Sequence, residues 1–384
     1  MGRAAVYSLV GAVIAFVVSS AFIPLIRRVA LAVRAVDYPG GRREQAEGIP
    51  RLGGVAVVLG LFVSQAVLAV LVWSEWKADM SAAEMVAVPL AFFIIFICGL
   101  LEDTIGLSPL VRVVLQAIAA IVVIRVGWCF GTIYIPFAGN LHFGILSCLI
   151  SLIWIVGVTN AINLLDGLDG LAGGVVAIIA AGLLVFSLGN GDSVAAMIMG
   201  TIVGACLGFL RKNWAPAQIY LGDAGSLTLG FMLAVVSVHS SLKTSAIIAI
   251  LIPILALGLP VIDTLLVMLF RFTQKSRGHL AQRAVQMFRA DRSHLHHLML
   301  RLGQNRSRIV IGIYAVSVTF CALALVAATY RNSTLGFTLI AFEILMIFAI
   351  RQLGLNADVL RMSIDKRRMI REVIFRRGAG VVER

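Results

Sequence analysis

Long apolar runs, broken by short polar segments, dominate the chain. They lie near 4–26, 52–73, 84–101, 110–126, 143–162, 172–189, 194–210, 226–240, 246–270, 308–330 and 336–352. A helix needs roughly 20 mostly apolar residues to cross a bilayer, so the pattern predicts an all-α integral membrane protein of about eleven spans. The 226–240 run is short and calls for tilt or local thinning. The first run is too long for the core of a cleaved signal and is followed by more spans, so it reads as a retained helix. Nothing in the composition marks a second domain. The expected organisation is a polytopic domain over 1–352 and a basic tail over 353–384.

The composition agrees. The 384 residues are 60% hydrophobic and 13% charged, with a mean hydropathy of +1.00. Soluble domains are about 45–50% apolar and about 25% charged, so a soluble globular enzyme, a disordered chain and a disulfide scaffold are all excluded. The cysteines Cys98, Cys129, Cys148, Cys206 and Cys321 are isolated and form no C-x-x-C, which argues against a zinc site or a disulfide framework.

Charge sets the orientation. The chain carries 32 Lys+Arg against 19 Asp+Glu, a net +13. With the N-terminus outside, alternating spans place 27–51, 102–112, 163–171, 211–225, 271–308 and the tail from 351 in the cytoplasm. Those segments hold all the basic residues except Arg3, Lys77, Arg125, Lys243 and Arg331. That asymmetry is a strong positive-inside signal. In a membrane chain the basic excess points to anionic lipid, not nucleic acid.

Acids are costly in a bilayer, so their positions carry information. Asp263 and Glu343 lie clearly inside spans. Five others sit in short, nearly uncharged segments predicted on one membrane face. They are Glu102 and Asp103 in LLEDTIGLSP, Asp166 and Asp169 in NAINLLDGLDGLAGG, and Asp223 in IYLGDAGSLTLG. One such acid is explained by helix capping. Three Gly-rich acidic segments on one side point instead to a metal–phosphate site. Mg2+ takes one or two carboxylates together with phosphates and water, and Gly-Asp steps let backbone N–H groups approach phosphate closely. The basic segment Asp291-Arg292-Ser293-His294-Leu295-His296-His297 adds donors suited to an anion.

These segments, in this order, resemble the polyprenyl-phosphate N-acetylhexosamine-1-phosphate transferases of glycosyltransferase family 4. The resemblance rests on E-D-x-x-G-L-x-P followed by Arg, N-A-I-N-L-L-D-G-L-D-G-L-A, G-D-A-G-S and D-R-S-H-L-H-H, and on the loop from Asp37 to Gly54. It extends from about 37 to 300. Within the family, His-Leu-His-His and the eleven-span layout are most similar to the undecaprenyl-phosphate N-acetylglucosaminyl-1-phosphate transferases. The implied reaction moves N-acetylglucosamine-1-phosphate from UDP-N-acetylglucosamine to undecaprenyl phosphate and releases UMP. It implies Mg2+ or Mn2+ as cofactor, a bacterial cytoplasmic membrane with the active site facing the cytoplasm, and a homodimer as one assembly.

Residue by residue, the resemblance implies Asp223 as metal ligand, with Asn163 as a neutral oxygen ligand or nucleotide contact. Asp103, beside Glu102, would orient or deprotonate the lipid phosphate. Arg112 would hold the pyrophosphate, while Asp166 and Asp169 would serve nucleotide-sugar binding or loop shape. Arg292, His294, His296 and His297 would meet pyrophosphate or sugar, with His294 also a catalytic candidate. Asn160, Arg43 and Arg51 are further substrate contacts. Glu102 stands where the family's pair usually begins with Asp, and Arg43 and Gln45 stand where Lys and His are commoner. Another UDP-N-acetylhexosamine, or the phospho-N-acetylmuramoyl-pentapeptide donor, remains an alternative. A secondary transporter is the rival outside the enzymes. That class shows repeats and polar groups at mid-membrane, whereas these acids cluster at span ends.

Overall fold

The computed structural model describes residues 2–37, 48–135, 139–142, 144–243, 251–273, 294–301, 303–330 and 332–354. The apolar runs become helices. In order these are α1 (Gly2–Ala32), α2 (Gly53–Leu71), α3 (Trp73–Asp79), α4 (Ala82–Ile105), α5 (Pro109–Arg125), α6 (Ile145–Leu165) and α7 (Leu171–Gly189). There follow α8 (Ser193–Asn213), α9 (Gly222–Leu242), α10 (Leu251–Ala256), α11 (Gly258–Thr273), α12 (Leu295–Arg301), α13 (Arg306–Tyr330) and α14 (Ser333–Gly354). Two short antiparallel pairs interrupt them. β1 (Val36–Asp37) pairs with β2 (Ile49–Pro50), and β3 (Thr132–Ile135) with β4 (Gly139–His142).

Among the described residues, nine helices are long and apolar enough to cross a bilayer, namely α1, α2, α4, α6, α7, α8, α9, α13 and α14. The other two expected runs take a different form. The 110–126 run becomes α5, which has 17 residues and is about 26 Å long at 1.5 Å per residue. The 246–270 run becomes α10 and α11, separated at Leu257. Pro260 lacks the N–H that would bond the Ala256 carbonyl, which accounts for the break. The segment 244–250 lies outside the described residues, as does the basic tail from 355 onward.

Local chemistry sets several helix starts. Ser81 and Glu84 form a capping box on α4, and Ser108 caps α5 with Pro109 as its first residue. Asp192 caps α8 through Ala195 N–H, 3.2 Å. Each cap satisfies a backbone donor that the helix itself cannot.

The chain divides into two compact units. The first comprises Met1–Val261 and Val310–Glu343, and the second Ile262–Ile309 and Ile344–Arg384. In the first unit α9 is the central element. It is 94% buried over its span, against 28% for α1, and packs on α2, α4, α6, α7 and α8. One end of this unit carries a buried polar network. Asp192 lies 3.5 Å from both His239 and Lys243, Trp128 stacks on His239 at 4.0 Å, and Trp128 Nε1–H donates to Glu84, 2.7 Å. Burial works to raise the Asp192 carboxyl, but the hydrogen bond and charge of His239, with Lys243, outweigh it and hold it below its ordinary range. The candidate site lies at the opposite ends of α4 and α9.

Candidate active site

The last turn of α4 meets the first turn of α9. No side chain adjacent in sequence caps α9, because Leu221 holds the capping position. Asp103 does so from α4. Its two carboxylate oxygens accept the backbone N–H groups of Asp223 and Ala224, each at 2.9 Å. Asp103 is 3% exposed, and a buried carboxylate at a helix N-terminus gains both from hydrogen bonds and from the helix dipole. Arg51 secures the same junction, donating from Nε and Nη2 to the Asp103 carbonyl, at 3.1 and 2.7 Å.

Glycines permit that junction. Gly54 N–H donates to Leu221 O, 2.6 Å, and a Cβ at Gly54 would overlap the backbone of Gly225. Gly222 has φ +72°, and a side chain there would strike Arg51 O and the Asp103 carboxylate. The Gly-Gly and Gly-Asp-Ala-Gly steps are therefore the contact between α2, α4 and α9.

Arg112 on α5 faces this junction. Its Nη1 lies 3.1 Å from Asp223 Oδ2 and 3.4 Å from Glu102 Oε1. Glu102 also accepts Leu107 N–H at Oε2, 2.6 Å, and so holds the α4–α5 turn as well as the guanidinium. On the other side, Asn163 near the end of α6 donates to Asp223 Oδ1, 3.0 Å, and to Ser226 Oγ, 2.9 Å. The Arg112, Glu102 and Asp223 side chains are 26%, 23% and 25% exposed, so a dissolved anion or cation can reach them.

Asp166 follows α6 directly. Burial, then the Asp223 and Asp103 carboxylates, push its acid up to about 7, against the pull of the Gly222 backbone. Asp103, Asp166, Asp223 and Glu102 thus face only Arg51 and Arg112 as cations in the described bonds, and the local charge leans negative. Asp169 has a different place. It accepts Ala217 N–H, 3.1 Å, while Asn213 bonds Gly170 N–H and Ile219 O. Together they tie the 166–170 turn to the 214–221 loop. Asn160 bonds Gln116 of α5, 2.6 Å, so its amide serves helix packing.

The histidines belong to the second unit. His294 Nδ1 lies 2.9 Å from Asp263 Oδ2. His296 is 1% exposed, and neither ring nitrogen has a hydrogen-bond partner among the described residues. Burial, with His297 beside it, pushes its acid down to about 3, which keeps the ring neutral. The rings of His296 and His297 pack at 4.2 Å. Arg43 and Arg292 lie outside the described residues. Among the described residues, no group of three His, Cys, Asp or Glu side chains is arranged to hold a metal.

Comparison with known proteins decides the family. Residues 85–241 match the glycosyl transferase family 4 model, a stretch that contains Glu102, Asp103, Arg112, Asn163 and Asp223. A "Probable undecaprenyl-phosphate N-acetylglucosaminyl 1-phosphate transferase" of Bacillus subtilis (strain 168) is 32% identical over 341 residues, 88% of this chain and 89% of its own. The chain belongs to glycosyl transferase family 4. A "Decaprenyl-phosphate N-acetylglucosaminephosphotransferase" of Mycolicibacterium smegmatis is 32% identical over 75% of this chain and 74% of its own. A "Phospho-N-acetylmuramoyl-pentapeptide-transferase" of Alkaliphilus metalliredigens is 29% identical over 83% of this chain and 96% of its own. This family 4 member is a multi-pass membrane protein, as its apolar helices require.

Two residues that bond the sequence candidates of the family 4 member were not themselves among those candidates. Ser226 shares Asn163 with Asp223, and Gln116 is a fully buried amide paired to Asn160. Each had a signal. Ser226 closes the G-D-A-G-S step, and Gln116 is the one amide of the 110–126 run.

Proposed function

We propose that this family 4 member transfers N-acetylglucosamine-1-phosphate from UDP-N-acetylglucosamine to undecaprenyl phosphate and releases UMP. The reaction runs at the cytoplasmic face of a bacterial cytoplasmic membrane, where a water-soluble donor meets an isoprenoid acceptor. The names of two relatives at 32% identity, both N-acetylglucosamine phosphotransferases, support this donor over the muramoyl-pentapeptide one.

The observation that carries the reading is the placement of Arg112. Its described bonds use Nη1 alone, which leaves Nε and Nη2 as donors in a fixed fork suited to phosphate oxygens. In the reaction an acceptor phosphate oxygen forms a bond to the sugar-bearing phosphorus. The bridging P–O bond breaks, and its electron pair leaves with UMP. The acceptor phosphate is already ionised near neutral pH, so positioning and charge stabilisation matter more than a strong base. Arg112 offsets the repulsion between the two anions. Glu102 and Asp223 fix where that guanidinium sits. Asp103, with both oxygens committed to α9, holds Asp223 in place.

The donor set suits a divalent ion. It is all oxygen, carries excess negative charge, and includes in Asp166 an acid forced toward neutrality. Mg2+ or Mn2+ would be held by Asp223 with Asp166, its remaining positions filled by phosphates and water. Asn163 turns its amide nitrogen to Asp223, an arrangement in which it orients that carboxylate by donation. When bound, such an ion supplies charge neutralisation at the pyrophosphate.

The test is UMP release by purified protein given undecaprenyl phosphate, Mg2+ and UDP-N-acetylglucosamine, with Asp223→Asn alongside. We expect lipid- and Mg2+-dependent UMP that disappears in the variant. UMP formed only with UDP-N-acetylgalactosamine would move the donor assignment. Folded wild-type protein that releases no UMP from any UDP-hexosamine would overturn the reading.

A further inference from the structure

A cavity of about 310 Å³ lies within the first unit, between α2, α4, α8 and α9, with Trp73 and Trp76 of α3 in its wall. Phe62, Ala66 and Pro89 line it and are exposed, so it opens on the surface that faces lipid. Its wall takes in α2 from Val58 to Ala69, a stretch of about 16 Å. One leaflet supplies about 15 Å of the roughly 30 Å hydrocarbon core. The hollow therefore has the length of one lipid chain.

The few polar groups of the lining show which end of a lipid belongs where. Gln65 Nε2 donates to Thr201 Oγ1, 2.9 Å, and Thr228 Oγ1 to Ala224 O, 2.7 Å. Trp76 differs. Its Nε1–H is buried and has no hydrogen-bond partner among the described residues. Such a donor is unfavourable where no water reaches it, so the arrangement calls for an acceptor from outside the chain. Lys77 follows Trp76 and is exposed, with Nζ 5.2 Å from the ring of Trp73. Two tryptophans beside a lysine are the side chains of a membrane–water boundary, and the ammonium suits a lipid phosphate.

We propose that this cavity holds one acyl chain of a membrane phospholipid, whose ester carbonyl accepts Trp76 Nε1–H and whose phosphate faces Lys77. The site is independent of the transferase reading. It is also distinct from a seat for an isoprenoid phosphate bound at Arg112. Met85 lines the cavity near the start of α4, 18 residues and about 27 Å along the helix from Asp103. The unfilled donor and Lys77 therefore lie at the membrane face remote from Arg112. A lipid with its phosphate at Arg112 would leave Trp76 Nε1–H without an acceptor. The phospholipid chain fills the space beside α2, α4 and α9, the three helices whose other ends form the candidate site.

The experiment uses the full chain in detergent, stripped of lipid and then given palmitoyl-oleoyl phosphatidylglycerol. Native mass spectrometry should show one phospholipid per chain that survives activation, and the added lipid should raise Tm, as any ligand of the folded state does. Trp76→Phe keeps the ring and loses the N–H, and should weaken retention roughly 5-fold, the scale of one neutral hydrogen bond. Ala66→Phe puts a ring into the exposed mouth and should abolish retention; if that variant fails to fold, Trp76→Phe decides alone. Wild type that retains no phosphatidylglycerol would overturn the proposal, as would a Trp76→Phe variant that retains it as wild type does. Preferential retention of undecaprenyl phosphate would overturn it in favour of an isoprenoid chain. A dimer that forms without lipid and blocks its binding would overturn it in favour of a second copy.

Discussion

Replacing Asp103 by Asn separates two explanations of why an acid is needed at the end of α4. The substitution is isosteric but leaves one acceptor where the carboxylate has two. Asp103 now accepts the N–H groups of both Asp223 and Ala224 at 2.9 Å. With Asn, one of those N–H groups meets an amide NH2 and is orphaned in a site that is 3% exposed. A hydrogen bond to a charged group contributes about 1.5–3 kcal/mol, and an unsatisfied buried donor costs about 1–3 kcal/mol. Loss of the charge at the helix N-terminus adds roughly 0.3–1 kcal/mol. These overlap, and about 3 kcal/mol is a fair sum, or a fall of roughly 6 °C in Tm at about 2 °C per kcal/mol. Turnover falls as well, because Asp223 moves with the start of α9 and a shift of about 1 Å costs about 10²-fold. Tm by intrinsic fluorescence and UMP release would be measured on the same preparation, beside Asp223→Asn. The latter should lose turnover while keeping or raising Tm, since it removes one of several crowded negative charges. Wild-type Tm with abolished turnover in Asp103→Asn would refute the capping role and place Asp103 on the substrate.

Three further outcomes follow from the same geometry. Arg112→Lys replaces a planar fork by a single ammonium that cannot bridge Glu102 and Asp223 while still meeting phosphate, so KM for the UDP-sugar should rise about 10-fold; an unchanged KM would remove Arg112 from donor binding. Gly54→Ala drives a methyl group into the backbone of Gly225 and should sharply reduce the yield of folded protein, as judged by size-exclusion chromatography; a normal elution profile would contradict the close α2–α9 approach. Asp166 holds a proton up to about pH 7 when folded, but only to about pH 4 when unfolded. The folded state therefore binds the extra proton between these values, and stability falls as pH rises through that window. Without divalent ions, the Tm of wild type should drop between pH 5 and pH 8 relative to Asp166→Asn; parallel profiles would show that Asp166 is not crowded.

Much of this was legible because apolar runs and acids obey simple constraints. A run of about 20 apolar residues has few uses other than a span, and the nine long apolar helices fall on runs visible in the sequence. The two that differ were decided by finer features. Pro260 breaks the 246–270 run, and α5 stops at 17 residues where Arg125 and Gly127 end the apolar pattern. The acids at 102–103 and 223 do meet, with Arg112 and Asn163 between them. What each does there was not legible, because a hydrogen-bond partner is fixed by packing and not by neighbours in the chain. Asp169 reads as serving either nucleotide-sugar binding or loop shape, and it spends an oxygen on Ala217 N–H, a loop contact. Asn160 and Asn163 lie three residues apart in one signature, yet one bonds Gln116 on α5 and the other Asp223 on α9.

The acid pair itself shows how adjacent residues acquire different duties. Neighbours on an α-helix point about 100° apart, so Asp103 and Glu102 cannot serve the same partner. Asp103 faces α9 across a gap lined by Gly222, where a Cβ would already strike its carboxylate. A longer side chain at 103 has no room. Glu102 faces the other way and spans two targets, Leu107 N–H in the turn and Nη1 of Arg112. Shortening it by one methylene would withdraw the carboxylate by about a bond length, and the 3.4 Å contact to Arg112 is already at the limit of a hydrogen bond. The Glu that departs from the usual family residue is thus matched to its surroundings, and it acts on the reaction through the position of Arg112. Such a residue tolerates exchange between Asp and Glu as long as the α4–α5 turn adjusts with it, whereas Asp103, committed to two backbone donors in a closed space, does not.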